Sequence, residues 1–232
     1  MRSDGASGPV WAVVVAGGSG TRFGQPKQFV DLAGRPVVAW SVDAARSVAD
    51  GVVLVLPAER LPAGDDPAGR FGADHAVAGG ASRSASVRAG LAAVPDDAAV
   101  VVVHDAARPL AGADLFTAVV AALGDGHAAG AVCAVPVADT LKQVGPDRST
   151  VVGTVDRDAL VAVQTPQAFR ADVLRRVHAD EQDATDDAGL LEAAGATVRI
   201  VPGHPDNLKL TTPADLAYAR HLLATAGDRP SR

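Results

Sequence analysis

Gly17, Gly18 and Gly20 are followed at short range by Arg22 and Lys27, inside the stretch VVVAGGSGTRFGQPKQF that runs from Val13 to Phe29. Glycine lets a backbone come close to an anion and aim its N–H groups at it. The glycines by themselves describe an ordinary turn as well as a phosphate loop. The two cations favour phosphate, because such a pair suits a triphosphate whose charge grows in a transition state. The spacing matches neither common nucleotide loop. No Gly-Lys-Ser/Thr follows as in a P-loop, and Gly18-Ser19-Gly20 continues into Thr21-Arg22-Phe23 without the third glycine of a dinucleotide fingerprint. A plain NAD-dependent oxidoreductase is disfavoured on that ground.

Further residues of the right type lie downstream. Gly79-Gly80 precedes Ser82, a helix cap, and Ser86; small residues there leave room for a flat base, or form only a capped helix start. His104 and Asp105 follow VVVV, at a strand's carboxyl end. Asp105 can help hold Mg²⁺, accept from a substrate hydroxyl, or make a salt-bridged turn with Arg108; hard Mg²⁺ prefers oxygen and is usually shared with phosphates. His104 stands alone, without metal-site spacing, and reads as structural. Arg157 either pairs with Asp156 or Asp158 or clamps a phosphate with its guanidinium fork. Thr165, in QTPQ, offers a hydroxyl. Lys209, in NLKLTT, is an exposed charge or a cation at the strand ends, where a second phosphate needs neutralising. Asp186 and Asp187 read as favourable charge in a helix's first turn rather than a catalytic pair. Cys133 sits in an apolar run and reads as a small core residue.

These residues need a frame. Near-continuous apolar runs at Val10 to Val15, Val52 to Leu56, Val100 to Val103, Ala131 to Val135 and Thr197 to Val201 read as strands covered on both faces. Helical spacing fills the intervals: from Pro36, from Ser82, from Ala113 to Leu123, from a Thr185 cap to Gly195, and from Thr212-Pro213. Alternating strands and helices predict a single α/β, Rossmann-like domain with a mostly parallel sheet and helices on both sides. Ligands in such sheets sit beyond the carboxyl ends of the strands. One segment departs: residues 137–155 read as two β-rich pieces around Gly145-Pro146-Asp147, a hairpin arm. Its apolar residues need a cover, so a partner subunit is expected. The domain is expected over 10–226, with residues 1–9 and 227–232 loose.

Bulk properties narrow the partners. The chain has 232 residues, 48% of them hydrophobic and 3% aromatic, so its core must be built from small side chains. A net charge of −6 with no basic tract makes nucleic acid an unsuitable partner and a local cation cluster a site for one small anion. The lone Cys133 excludes an internal disulfide and fits a reducing cytoplasm. The run from Val10 to Ala16 is too short for a signal-peptide core or a membrane span.

AGGSGTRFGQPKQF resembles the signature loop of the sugar-nucleotide pyrophosphorylase-like cytidylyltransferases, and most closely that of the branch acting on 2-C-methyl-D-erythritol 4-phosphate. The likeness continues in the same order through GGASRSASVRAGL, VHDAARP, VPVADTLK, TVDR, QTPQAF, TDDAGLLE and NLKLTTPADL, from about residue 10 to residue 220. The resemblance implies CMP transfer from CTP to a polyol phosphate, with Mg²⁺ and a homodimer joined through the arm. Arg22, Lys27, Arg157 and Lys209 would be catalytic. Ala16, Gly17, Gly18, Gly20, Gly79, Gly80, Ser86 and Asp105 would hold CTP. Asp105, Arg108, Thr140, Arg157, Thr165 and Lys209 would hold the polyol phosphate, with Asp105 the candidate metal ligand. Ala85 departs from the pattern, standing where relatives often carry a polar residue. Two rivals remain: a ribitol-5-phosphate cytidylyltransferase, and a nucleotide-binding regulator without activity.

Overall fold

The computed structural model describes residues 8–18, 23–61 and 66–225. The expectations of loose termini fall largely outside that set, and those for Gly20 and Arg22 entirely so. The chain opens with β1 (Val10–Val15), a short hairpin of β2 (Asp31–Leu32) and β3 (Arg35–Pro36), α1 (Val37–Arg46) and β4 (Gly51–Leu56). Then come α2 (Pro67–Phe71), β5 (His75–Ala78), α3 (Arg83–Leu91), β6 (Val100–Asp105), α4 (Ala113–Ala121) and β7 (Gly130–Pro136). The arm is β8 (Lys142–Val144) with β9 (Val151–Thr154). The chain continues through β10 (Val161–Arg170), α5 (Ala171–His178), α6 (Asp187–Ala193), β11 (Val198–Pro202) and α7 (Pro213–Thr225). Among the described residues no helix is long and apolar enough to cross a membrane.

Seven strands form the main sheet in the order β11-β7-β10-β6-β1-β4-β5. The pairs β1 with β4, β1 with β6, β4 with β5 and β7 with β11 are parallel. Within this sheet only β10 runs against its neighbours, β6 and β7. Side chains sort by the two-residue period of a strand. Ala12 and Val14 of β1 join the core under α1 and α4, whereas Val13 joins the core under α3, α5 and α6. The fully buried valines of β1, β4 and β6 are therefore a consequence of helices on both faces. The sequence from β1 goes first to β4 and later returns to β6, on β1's other side. That reversal opens a crevice beyond the carboxyl ends of these strands.

The sequence pattern does not predict β10. Its Gln-Thr-Pro-Gln core lacks an apolar run, and a proline argues against an inner strand. Here the register shifts between Val163 and Gln167, which spares the proline a ladder position. β5 and α5 are likewise additions to the elements expected from sequence. α6 begins one residue later than expected: Asp186, rather than Thr185, is the cap, accepting from the Gly189 N–H. Gly195 ends that helix in the left-handed region at φ 74°, where glycine avoids a Cβ clash. The arm forms as expected, with β8 and β9 antiparallel.

Candidate active site

A cavity of about 460 Å³ lies at the crevice, large enough for a nucleotide. Its walls come from three strand exits and one distant loop. The exit of β1 contributes Gly17 and Gly18, and the 3-10 turn at Lys27–Phe29 contributes Lys27 and Gln28. The approach to α3 contributes Gly80, Ser82, Arg83 and Ser86; Asp105 ends β6, and Lys209 and Thr211 precede α7.

Local sequence explains each wall. The Gln28 amide donates to the carbonyls of Ala16 (3.0 Å) and Gly18 (2.8 Å), fastening the glycine stretch to the turn that carries Lys27. Ser82 caps α3 by accepting from the Ala85 N–H at 3.0 Å. Tight approach there requires glycine: a Cβ on Gly80 would lie 2.5 Å from the Ala85 Cβ, and one on Gly79 would lie 2.9 Å from Ser86 Oγ. Lys209 is set by the loop on either side of it. The Leu210 N–H donates to the Ala107 carbonyl at 2.8 Å, and buried Asn207 donates to Gln164 Oε1 and the Thr165 carbonyl. Thr212 and Asp215 then cap α7 reciprocally.

Asp105 is the electrostatic centre. Lys209 Nζ lies 2.7 Å from its Oδ2 and Arg83 Nε lies 3.4 Å from its Oδ1. Burial alone would raise its carboxyl; the Arg83 and Lys209 charges outweigh burial and hold it well below the usual carboxylate range. Burial alone would lower the Arg83 guanidinium, but Asp187 and Asp105 together raise it. Among the described residues Lys27, Arg83 and Lys209 stand against a single lining carboxylate, so the cavity is a site for an anion.

His104, directly before Asp105, is a buried support. Its Nε2 donates to the Arg108 carbonyl (3.2 Å), so its Nδ1 is free to accept from the Thr165 hydroxyl (3.1 Å), and Thr165 Oγ1 accepts the Asp105 N–H (3.0 Å). Burial pushes His104 down to about 4, so it stays neutral at physiological pH. Cys133 is buried in β7, and burial pushes its thiol up to about 11. Neither residue has the setting of an activated nucleophile.

A family model for 2-C-methyl-D-erythritol 4-phosphate cytidylyltransferase matches residues 10–225. The chain belongs to this family. A relative of that name from Frankia casuarinae is 47% identical over 225 residues, covering 94% of this chain and 83% of the relative. The solved structure of a cytidylyltransferase of the same name from Thermus thermophilus superposes with a TM-score of 0.75 at 34% identity, covering 91% of this chain and 98% of the other. The 4-diphosphocytidyl-2C-methyl-D-erythritol synthase of Anaerococcus prevotii gives a TM-score of 0.79 at 27% identity, covering 94% and 99%.

Against this cavity, the expected residues divide. Gly17, Gly18, Lys27, Gly80, Ser86, Asp105 and Lys209 line one cavity. Ala16 does not: its methyl is in the core and its N–H donates to the Val55 carbonyl. Gly79 lies just behind Gly80. Ser86 reaches the cavity, but its hydroxyl donates to the Ser82 carbonyl and accepts the Gly80 N–H. Thr165 is buried in the His104 network and is a scaffold rather than a reachable hydroxyl. Arg108 turns inward to the Asn207 carbonyl (2.7 Å) and makes no salt bridge with Asp105. Thr140 and Arg157 are exposed on the arm and beside it, outside the cavity of a single chain; Arg157 donates to the Ala138 carbonyl and pairs with neither Asp156 nor Asp158.

Two residues differ from what their local sequence suggests. Asp187 stands in the first turn of α6 as expected, but it does more than charge that turn. It is fully buried, 2.8 Å from Arg83 Nη1 and 2.9 Å from His178 Nε2. Arg83 is a site residue that the sequence does not single out. Its only local signal is a cation directly after a helix cap that follows two glycines, and its partners lie 22 and 104 residues away.

Proposed function

We infer that the chain transfers the cytidylyl group of CTP to the phosphate of 2-C-methyl-D-erythritol 4-phosphate, releasing pyrophosphate, as a step of non-mevalonate isoprenoid biosynthesis. The observation that carries this reading is the convergence of Lys27, Arg83 and Lys209 on one glycine-walled cavity in a chain of this family. Such a site positions and neutralises phosphates; it needs no protein nucleophile. An oxygen of the polyol phosphate forms a bond to the α-phosphorus of CTP, and the bond from that phosphorus to the α,β-bridging oxygen breaks in line. The attacking phosphate is already ionised at neutral pH, so no strong base is required. Lys27, with Arg22, stabilises charge on the α-phosphate and the leaving pyrophosphate. Lys209 holds the incoming phosphate, and backbone N–H groups of the Gly17-Gly18 stretch face the triphosphate.

Mg²⁺ belongs to this reading as a shared ion. Among the described residues no group of three or more His, Cys, Asp or Glu could hold a metal. Asp105 is the carboxylate lining the cavity, and both its oxygens already face cations. Such a donor set would suit an ion shared with the triphosphate, for which Asp105 would be the protein residue that holds it. When bound, the ion neutralises phosphate charge.

The arm completes the site from a second subunit. Val151 and Val152 are each 62% exposed on a two-stranded hairpin, which is marginal alone in water. Cover by the matching arm across a two-fold axis brings Thr140 and Arg157 to the partner's cavity, where the guanidinium clamps the polyol phosphate. The chain is thus read as a homodimer. Its free, buried Cys133 is at home in the reducing cytoplasm.

Pyrophosphate release, measured with CTP, Mg²⁺ and either polyol phosphate, tests the function. Release with the methylerythritol substrate is expected. Release only with ribitol 5-phosphate would assign the neighbouring activity, and CTP binding without release would leave a regulator.

A further inference from the structure

Behind Arg83 lie two buried polar side chains with no part in the reaction described above. Asp187 opens α6 and is fully buried; His178 ends α5 and is 3% exposed. The carboxylate accepts from Arg83 Nη1 at 2.8 Å and from His178 Nε2 at 2.9 Å. His178 therefore carries its proton on Nε2, and its Nδ1 is buried without a partner. A buried pair of this kind is weak as a source of stability, since apolar side chains of similar volume commonly do as well. What the pair does control is the place of one guanidinium.

Arg83 lies between two carboxylates, Asp105 in the cavity wall and Asp187 behind it. It sits closer to Asp187, at 2.8 Å against 3.4 Å to Asp105. Its Nη2 is buried and unpartnered. Asp105 meanwhile keeps its short contact with Lys209, at 2.7 Å. We propose that Asp187 and His178 are positioning residues of the nucleotide cavity, which hold Arg83 back from Asp105 so that Asp105 keeps its short pairing with Lys209 and only a longer contact with Arg83. Without the Asp187 charge, Arg83 closes on Asp105, and an entering triphosphate must break a stronger ion pair. Without the His178 N–H, the same carboxylate is held by Arg83 alone and the guanidinium is drawn off its place.

The proposal rests on the reading of this cavity as the CTP site. It is tested with the full-length protein by measuring kcat and KM for each substrate and CTP affinity by calorimetry, in Asp187→Asn, His178→Leu and His178→Gln. Asp187→Asn and His178→Leu are expected to raise the KM and Kd for CTP about tenfold, with kcat changed far less. His178→Gln supplies an amide N–H to Asp187 and is expected to stay near wild type. In an Arg83→Met background, His178→Leu is expected to add nothing. The proposal is overturned if His178→Gln and His178→Leu behave alike, if CTP affinity does not move in the folded variants, or if the His178→Leu effect persists undiminished without Arg83. Should Asp187→Asn or His178→Leu not fold, His178→Ala, which removes the donor without adding bulk, decides by the same criteria. Wild-type protein that does not bind CTP would overturn the nucleotide reading and this proposal together; normal wild-type binding with unmoved variants overturns this proposal alone.

Discussion

Lys27 and His104 illustrate two ways in which a single residue matters at this site. Lys27 is half-buried at the cavity, on a turn fastened to the glycine stretch by Gln28. Its replacement by alanine should lower turnover by about two to three orders of magnitude, the scale for losing one charge-stabilising donor. Near-wild-type turnover by Lys27→Ala in a pyrophosphate assay would remove it from the reaction. His104 acts through protonation instead. Its folded-state value of about 4 lies below the unfolded 6.5, so between these pH values the unfolded chain binds the proton more readily. The stabilisation is fully present above pH 6.5 and is lost as pH falls towards 4, amounting to on the order of 3 kcal/mol. Urea midpoints for wild type and His104→Gln at pH 7, 5.5 and 4.5 measure this. The variant should be less stable at pH 7 and should lose less on acidification; parallel curves would show that His104 does not govern the acid limb.

At the scale of elements, the arm is where the proposed exchange between subunits can be tested. Arg157 sits just past β9, outside the cavity of its own chain. If the arms exchange, Lys27→Ala and Arg157→Ala each damage both sites of their own homodimer, but a mixed dimer has one site with neither defect. Co-refolding equal amounts of the two variants should restore roughly a quarter of wild-type activity, by the statistics of a symmetric dimer. A mixture as inactive as its parents, with heterodimers demonstrated by mass, would place Arg157 in its own chain's site. The arm itself was legible in the sequence because a turn at Gly145-Pro146-Asp147 separates two β-rich pieces. β10 was not, although it occupies an inner position of the sheet: its pairing is supplied by β6 and β7 and not by local propensity.

For the whole molecule, the expected substrate preference rests on TVDR and TDDAGLLE, which resemble the methylerythritol branch more than the ribitol one. Methylerythritol phosphate should be used at least about 10-fold more efficiently than ribitol 5-phosphate, which corresponds to roughly 1.4 kcal/mol in transition-state binding. Parallel kcat/KM measurements decide it, and equal or reversed values would move the protein to the ribitol-specific activity. A chelator should abolish turnover with either polyol phosphate while leaving the fold intact, because no protein group among those described holds a metal cage.

Sequence alone determined the strand–helix alternation, the glycine stretch, the caps at Ser82 and Thr212-Pro213, and the cations Lys27 and Lys209, because each is written in neighbouring residues with a fixed period or spacing. It also ordered the motifs that place the chain in its family. Tertiary structure decided the rest. Only the reversal of the sheet brings the exits of β1 and β6 side by side, and only long-range packing joins Arg83 to Asp105, 22 residues on, and to Asp187, 104 residues on. Sequence likewise could not show that Thr165 and Arg108 turn inward, because a hydroxyl or a guanidinium takes its direction from the partners that folding supplies: here the His104 ring and the Asn207 carbonyl.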